Sequence, residues 1–126
     1  MRVVDTSAWI EYLIESPLGS KVARELPRRD AWLVPTIVQL ELAKWLTRRL
    51  GVEAAETVIA FYDTCEIADL NTKTALAAAD LSARHRLATA DAIIYATAQA
   101  YGADVLTCDR HFESLPGVRF IPKHDA

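Results

Sequence analysis

Two acidic residues follow short apolar runs that have the character of buried strands. Asp5 comes directly after Val3 and Val4, and Asp109 comes shortly after the run 104–107. Open α/β sheets place their ligands at the carboxyl ends of such strands, so both carboxylates are candidates for one crevice. This interpretation requires strands 1 and 4 to be neighbours. A helix N-cap or a solvated strand end is the alternative for Asp5.

Two further acids lie on apolar faces of predicted helices. The residues one turn from Glu41 are Ile37, Val38, Lys44 and Trp45. Asp91 has Ile94 and Tyr95 one turn further on. An unpaired acid in an apolar stripe is costly unless something neutralises it. The alternatives are a Glu41–Lys44 ion pair on a solvated face and a favourable place for Asp91 at the start of its helix.

Four carboxylates in one crevice would repel each other unless a cation joined them. Oxygen ligands of this kind suit Mg²⁺ or Mn²⁺. Such ions can generate hydroxide and stabilise both oxygens of a phosphoryl displacement. The residues alone therefore predict metal-dependent phosphoryl chemistry, and they leave open whether the protein is a nuclease or a phosphatase.

Short apolar strands alternate with longer helical patterns, and no tight hairpin signal occurs. The predicted strands are 3–4, 32–34, 65–68, 104–107 and 118–121. The predicted helices are 6–15, 20–26, 36–50, 52–63, 71–85 and 89–101, with a single turn at 110–113 and a loose tail after Pro122. This alternation predicts an α/β fold with a parallel sheet, right-handed crossovers and helices on both faces.

Helix boundaries are predicted from capping residues and breakers. Thr36 to Gln39 has the capping-box pattern, and Gly51 is the expected C′ residue of the same helix. Ser16-Pro17-Leu18-Gly19 is expected to break the chain between two helices. The remaining predicted N-caps are Thr6 or Ser7, Asn71 and Thr89.

Composition places the 126 residues in one globular domain, 1–126. Cys65 and Cys108 form no C-x-x-C pattern, and no leader-like or membrane-spanning run is present, so we expect free thiols and a cytoplasmic protein. The net charge of −3 argues against binding nucleic acid by bulk electrostatics. It still allows an enzyme that touches a few phosphates through local cations.

Four segments, in this order, resemble the PIN domain, and in particular the VapC-type toxins of type II toxin–antitoxin pairs. They are Val3-Val4-Asp5-Thr6-Ser7-Ala8-Trp9-Ile10, Glu41-Leu42-Ala43-Lys44-Trp45, the run 87–98 around Thr89-Ala90-Asp91-Ala92, and Leu106-Thr107-Cys108-Asp109-Arg110-His111-Phe112. Each motif alone is weak. The four acids within them are separated by 36, 50 and 18 residues, and the resemblance covers essentially the whole chain.

The resemblance implies a three-layer α/β/α fold whose parallel five-stranded sheet has the order 3-2-1-4-5. It also implies an endoribonuclease that depends on Mg²⁺ or Mn²⁺ and cleaves RNA with a metal-activated water. The implied catalytic and metal-ligating residues are Asp5, Glu41, Asp91 and Asp109, with Asp5 and Asp91 as the principal ligands. Thr107 or Ser7 would hydrogen-bond these ligands or a metal-bound water.

The same resemblance implies a cognate antitoxin, a homodimer, and a heterotetramer or larger assembly with that antitoxin. Trp9, Tyr12, Trp45 and Leu46 are candidates for an apolar antitoxin groove, with an ordinary core role as the alternative. Candidate contacts to the RNA backbone are Lys44, Arg48, Arg49, Arg84, Arg86 and Arg110. A solvated surface is the alternative for each of these cations, and Asp80 is expected to pair with Arg84.

Other functions share parts of this pattern. A non-toxin PIN nuclease, a metal-dependent phosphatase and an inactive protein-interaction module remain alternatives. An aspartate-nucleophile phosphatase usually needs a second acid two residues after the first, where Ser7 stands. A phospho-accepting receiver domain needs adjacent acids after strand 1 and a lysine after its last strand, and Lys123 lies only in the tail.

Three histidines complete the candidates. His85, His111 and His124 lie 26 and 13 residues apart, which is not a metal-ligand spacing. We therefore expect none of them to be a ligand.

Overall fold

A computed structural model describes residues 1–123, and within that range the chain forms five strands and six helices. The strands are β1 (Arg2–Val4), β2 (Trp32–Pro35), β3 (Glu66–Ala68), β4 (Asp104–Thr107) and β5 (Val118–Phe120). The helices are α1 (Thr6–Leu13), α2 (Pro17–Glu25), α3 (Thr36–Arg49), α4 (Val52–Tyr62), α5 (Thr72–His85) and α6 (Thr89–Ala100). Two 3-10 turns cover Arg29–Ala31 and Arg110–Phe112.

The sheet has the order β3-β2-β1-β4-β5, and all of its pairings are parallel. This confirms the predicted order. Arg2 lies beside Asp104 and Val4 beside Leu106, so β1 and β4 are neighbours as the candidate site requires. The strand order reverses between these two strands, and their carboxyl ends form the crevice where such sheets bind ligands.

The helices form two layers around the sheet. The connections from β1 to β2 and from β2 to β3 contain α1 to α4, and both move in the same direction across the sheet. The connection from β3 to β4 contains α5 and α6 and moves in the opposite direction. Right-handed crossovers place these two groups on opposite faces. Val3, Leu33 and Val105 are completely buried, which explains why the central strands are uninterrupted apolar runs.

Gly51 is the C′ residue of α3, as predicted, and the N-cap predictions are right at one helix and wrong at three. Asn71 caps α5, because its side chain accepts a hydrogen bond from Thr74 N at 2.9 Å. At α3 and α6 the predicted caps Thr36 and Thr89 are the first helical residues. The residues before them are Pro35 and Ala88, whose extended backbones end the preceding segments and whose side chains cannot cap.

At α1 the N-cap is Asp5, and its side chain makes no capping bond. The two residues predicted to cap this helix, Thr6 and Ser7, turn their hydroxyls toward other acids instead. A residue whose side chain forms part of the site is therefore not available to cap its own helix.

Helix α2 begins earlier than predicted, at Pro17 instead of residue 20. Proline fits the first helical position because its missing N–H would have no helical partner there. Ser16 caps the helix by accepting a hydrogen bond from Gly19 N at 3.1 Å. A Cβ at Gly19 would lie 2.6 Å from the carbonyl oxygen of Glu11, so this glycine lets α2 pack directly on the backbone of α1.

An ion-pair network joins the elements at the amino-terminal side of the sheet. Arg2 contacts Asp104 at 2.8 Å and Glu25 at 3.0 Å, and Arg119 contacts Glu25 at 3.1 Å. Since Arg2 and Asp104 begin β1 and β4, the network lies at the opposite end of these strands from Asp5 and Asp109.

In the part of the chain covered by residues 1–123, no helix is long and apolar enough to cross a membrane. The predicted tail after Pro122, including His124, falls mostly outside the described residues.

Candidate active site

Asp5 is the most deeply buried acid of the site. Its residue is 3% exposed, at the end of β1. The carboxylate oxygen Oδ2 accepts hydrogen bonds from Ser7 Oγ at 2.7 Å and from Thr107 Oγ1 at 2.8 Å. Burial raises the pKa of Asp5, and the two hydroxyl donors lower it by stabilising the charge.

The same two hydroxyls hold the segment that follows β4. Thr107 Oγ1 accepts a hydrogen bond from Asp109 N at 2.9 Å, and Ser7 Oγ accepts one from Cys108 N at 3.0 Å. Each hydroxyl thus donates to Asp5 and accepts from the backbone beside it. Ser7 and Thr107, which were predicted to support the ligands, therefore connect the carboxyl ends of β1 and β4 directly.

Glu41 reaches the site from α3. Its Oε1 accepts a hydrogen bond from Thr6 Oγ1 at 2.8 Å, and the residue is half-buried. This contact is with Thr6 and not with Lys44, the partner expected for a solvated Glu41. Thr6 is a site residue that the sequence showed only as a possible cap.

Asp91 lies in the first turn of α6, and its side chain is 16% exposed. Burial, and after it the charges of Asp109, Asp5 and Glu41, raises the pKa of Asp91 to about 6. The charge of His111 acts in the opposite sense. The structure therefore brings the four predicted acids close enough to influence one another.

Asp109 and His111 form the outer part of the cluster. Asp109 Oδ1 accepts a hydrogen bond from His111 N at 2.9 Å, and this bond caps the short 3-10 turn. Nδ1 of His111 lies 2.9 Å from Asp109 Oδ1 and 3.7 Å from Asp91 Oδ2. His111 was not predicted as a ligand, because the histidines are not at metal-ligand spacing from one another. The Asp109-x-His111 spacing within a predicted turn was the available signal.

The donor set fits a divalent cation. Asp91, Asp109 and His111 offer ligand atoms that all lie within 4.8 Å of one another. Asp5 and Glu41 add carboxylates whose negative charges act on the same group. A set of oxygen donors with at most one imidazole suits Mg²⁺ or Mn²⁺. A thiol-rich set would suit these ions less well.

One predicted cation, Arg110, lies beside the acids. It lines a cavity of about 380 Å³ together with Ser7, Cys108, Asp109, Phe120 and Lys123. Arg84 pairs with Asp80 at 2.9 Å, as expected, and both side chains are exposed. The other predicted RNA contacts are exposed residues of α3 and the end of α5: Lys44, Arg48, Arg49 and Arg86.

An apolar cavity of about 390 Å³ lies away from the acids, between α1, α4 and the segment before β2. Trp9 and Tyr12, two of the predicted groove residues, line it, and Trp9 is also a core residue. Trp45 and Leu46, the other predicted groove residues, do not line this cavity. Leu46 is a core residue, and Trp45 packs against the core.

An acidic cluster at the switch point of a five-stranded parallel sheet defines an α/β protein with a candidate cation site. The sequence model of the PIN domain matches residues 2–118. The chain belongs to the PIN domain family.

Solved structures share this fold across nearly the whole chain. A toxin–antitoxin complex from Klebsiella pneumoniae has a TM-score of 0.81 at 20% identity, covering 94% of this chain and 96% of the other. VapC20 from Mycobacterium tuberculosis, described as a Sarcin-Ricin loop cleaving toxin, has a TM-score of 0.80 at 20% identity, with coverage of 97% and 100%. FitAcB from Neisseria gonorrhoeae has a TM-score of 0.76 at 20% identity, with coverage of 98% and 99%. A comparison with curated protein sequences returned no match.

Proposed function

We propose that this chain is a metal-dependent endoribonuclease and the toxin of a toxin–antitoxin pair. The observation that carries the proposal is the buried Asp5 carboxylate, held by two hydroxyls beside three further acids. A carboxylate kept out of water among like charges is costly unless a cation compensates it. Membership of the PIN family and the similarity to VapC20 support RNA as the substrate.

The residues of the site have distinct tasks in this proposal. Asp5 and Asp91 are the principal ligands of Mg²⁺ or Mn²⁺, and Glu41 and Asp109 complete the set. When bound, such an ion stabilises charge on the phosphate and promotes deprotonation of the attacking water. Ser7 and Thr107 fix Asp5 and the segment after β4, and Thr6 fixes Glu41. The chain thus supplies orientation and charge, and it needs no covalent intermediate.

The cavity beside Asp109 is our proposed path for the RNA backbone. Arg110 and Lys123 bring positive charge to a cavity that shares Asp109 with the acidic cluster. The guanidinium of Arg110 lies over the ring of Phe120, 5.8 Å from its centre, and both residues line this cavity. Local cations and an aromatic surface can bind single-stranded RNA despite the overall charge of −3.

The test is cleavage of RNA by the purified chain with Mg²⁺ or Mn²⁺. We expect EDTA to abolish cleavage and Asp5→Asn to reduce it more than about 100-fold, beyond the usual effect of losing an outer partner of a ligand. Asp80→Asn is the matched control, because this exposed acid pairs with Arg84 away from the cluster. Cleavage that survives both EDTA and Asp5→Asn would refute the proposal. Hydrolysis of a small phosphomonoester without RNA cleavage would favour the phosphatase alternative.

The antitoxin part of the proposal rests on the apolar cavity. Trp9, Trp32 and Phe61 form its aromatic wall, and Tyr12 at its rim is 39% exposed. A partner helix or extended segment with apolar anchors would cover this surface. The structural neighbours include toxin–antitoxin complexes, which supports such a partner.

Co-expression with the product of a small open reading frame adjacent to the gene, where one is found, tests the partner. We expect co-purification with the wild type and its loss with Tyr12→Arg. Tyr101→Arg is the control, because Tyr101 is similarly exposed at the end of α6. Equal recovery with both variants would place the partner elsewhere.

We also propose a homodimer in the cytoplasm. Leu40 of α3, Ile59 of α4 and Ile67 of β3 are exposed apolar residues around one surface cavity, which supports self-association there. The mass measured by light scattering tests the dimer, and Leu40→Glu is expected to give monomers.

A further inference from the structure

His111 is held in place by its backbone and by its neighbour in sequence. Phe112 is completely buried and anchors the 3-10 turn Arg110–Phe112. At the start of the turn, Asp109 Oδ1 accepts the hydrogen bond from His111 N. The turn therefore places the imidazole over the acids. The imidazole itself is not held by packing, since the side chain is 74% exposed.

The distances around the imidazole suit a shared ion. Nδ1 lies 2.9 Å from Asp109 Oδ1 and 3.7 Å from Asp91 Oδ2. Two ligands about 2.1 Å from one ion lie about 3 to 4.2 Å apart, depending on the angle between them. The separations to both carboxylates therefore lie at or near the range expected for three ligands of one cation.

A simple ion pair would explain less of this arrangement. An exposed His–Asp pair contributes little to stability, because water screens it. The turn is already fixed by Phe112 and by the Asp109 cap. The pair also leaves the charges of Asp5 and Glu41 uncompensated.

We propose that His111 donates Nδ1 to the metal of the acidic centre, together with Asp91 and Asp109. This inference rests on the proposed function for the presence of a metal. Imidazole binds Mn²⁺ and later transition ions better than Mg²⁺, which prefers oxygen. The nitrogen ligand therefore biases the centre toward Mn²⁺.

Pulsed EPR of the Mn²⁺-loaded full chain tests direct ligation. We expect nuclear modulation from a coordinated imidazole nitrogen, changed in the chain labelled with ¹⁵N-histidine and lost in His111→Gln. His85→Gln is the matched control and should retain the signal, because His85 lies on α5 against Tyr95. Bound Mn²⁺ without nitrogen modulation in the wild type would overturn the inference.

Calorimetric titration tests the metal preference. His111→Gln is expected to weaken Mn²⁺ binding about 10-fold or more and Mg²⁺ binding less than about 3-fold, by analogy with other perturbed metal sites. Equal losses for both ions would contradict a nitrogen ligand. Nitrogen modulation in a chain that cuts no RNA would leave the inference standing and refute the proposed function. Mn²⁺ binding without modulation in a chain that cuts RNA would do the reverse. A chain that binds Mg²⁺ but not Mn²⁺ would also overturn the inference alone, and binding of neither ion would refute both.

Discussion

Asp91 shows at the scale of one residue how the site works against the stability of the metal-free chain. Burial and the other acids raise the pKa of its carboxyl to about 6, from an ordinary value of 3.8. At neutral pH the folded chain must therefore ionise a group that the fold disfavours. Asp5 adds to this destabilisation of the folded chain, because burial also raises its pKa.

Asp91→Asn is expected to stabilise the metal-free chain at pH 7.5 by on the order of 1 to 3 kcal/mol, because the amide removes a charge that the fold disfavours. The same change should weaken binding of Mn²⁺. Urea unfolding in EDTA measures the stability. Asp80→Asn should stay within about 0.5 kcal/mol of the wild type, as a surface change. A less stable Asp91→Asn would show that its carboxylate is structural.

Thr107→Val is expected to lower the free energy of unfolding by about 1 to 3 kcal/mol, because it leaves Asp109 N without its buried partner. Asp5 also loses a hydroxyl donor, so metal affinity should fall about 10- to 100-fold. Denaturant unfolding and metal titration measure the two effects. Thr107→Ser keeps the hydroxyl and should retain most of the affinity. Equal losses for both variants would mean that the methyl group matters and the hydroxyl does not.

At the scale of elements, the close approach of α1 and α2 depends on Gly19. Its position within α2 would ordinarily favour alanine by about 1 kcal/mol. The space does not allow it, because an added Cβ would lie 2.6 Å from a backbone oxygen that cannot rotate away. The glycine is kept for packing and not for its backbone freedom.

Gly19→Ala is expected to lower the melting temperature, with a net loss of about 1 to 2 kcal/mol once overpacking outweighs the gain in helix propensity. Thermal unfolding followed by circular dichroism measures this. Ser20→Ala, at the next and exposed position of α2, is the control and should change little. A stabilised Gly19→Ala would show that α2 can move away from α1.

The elements also show what the sequence could predict. The central strands were predictable because burial on both faces produces uninterrupted apolar runs such as Val3-Val4. The predicted N-caps of α3 and α6 are one residue late, because the conformations of Pro35 and Ala88 depend on the strand and loop before them. The segment Ser16-Pro17-Leu18-Gly19 predicts a break, yet Pro17 begins α2, because proline is common both just beyond the end of a helix and at the first position of the next one.

The acids could be selected because carboxylates with apolar neighbours stand out, as Glu41 and Asp91 do. Thr6 and His111 do not stand out in this way, although the Asp109-x-His111 spacing places the histidine close to one of the acids. Their contacts with Glu41 and Asp91 join elements that are far apart in sequence, and only the packing of α3 and α6 at the end of β1 brings them together.

At the scale of the whole molecule, charge is separated along the strands. The amino ends of β1 and β4 carry the ion pairs of Arg2 with Asp104 and Glu25, and the carboxyl ends carry the acids. Hydrogen bonds from Arg2 and then Arg119 lower the pKa of Glu25, so its contribution to stability is present at neutral pH and lost in acid. The acidic end behaves in the opposite way.

The metal-free chain is expected to be more stable at pH 5 than at pH 7.5. Because the pKa of Asp91 is higher in the folded chain than in the unfolded one, the folded state binds the proton more tightly, and stability falls as pH rises from about 4 to about 6. Melting temperatures in EDTA measure this order. Saturating Mn²⁺ should reverse it, since the metal binds the ionised folded state. Stability that rises through this window in EDTA would contradict the raised pKa.

The acidic end has a kinetic consequence for the proposed RNA substrate. Before it acquires a cation, the chain presents a cluster of four acids at the place where the proposed RNA would dock, and the overall charge is also negative. Electrostatic steering then works against encounter, and it weakens once the metal neutralises the cluster. If the proposed function holds, we therefore expect ordered binding, with the ion entering first and the RNA second. Rapid-mixing experiments should show an association rate for RNA that rises with metal occupancy, and raised ionic strength should narrow the difference between the loaded and unloaded forms.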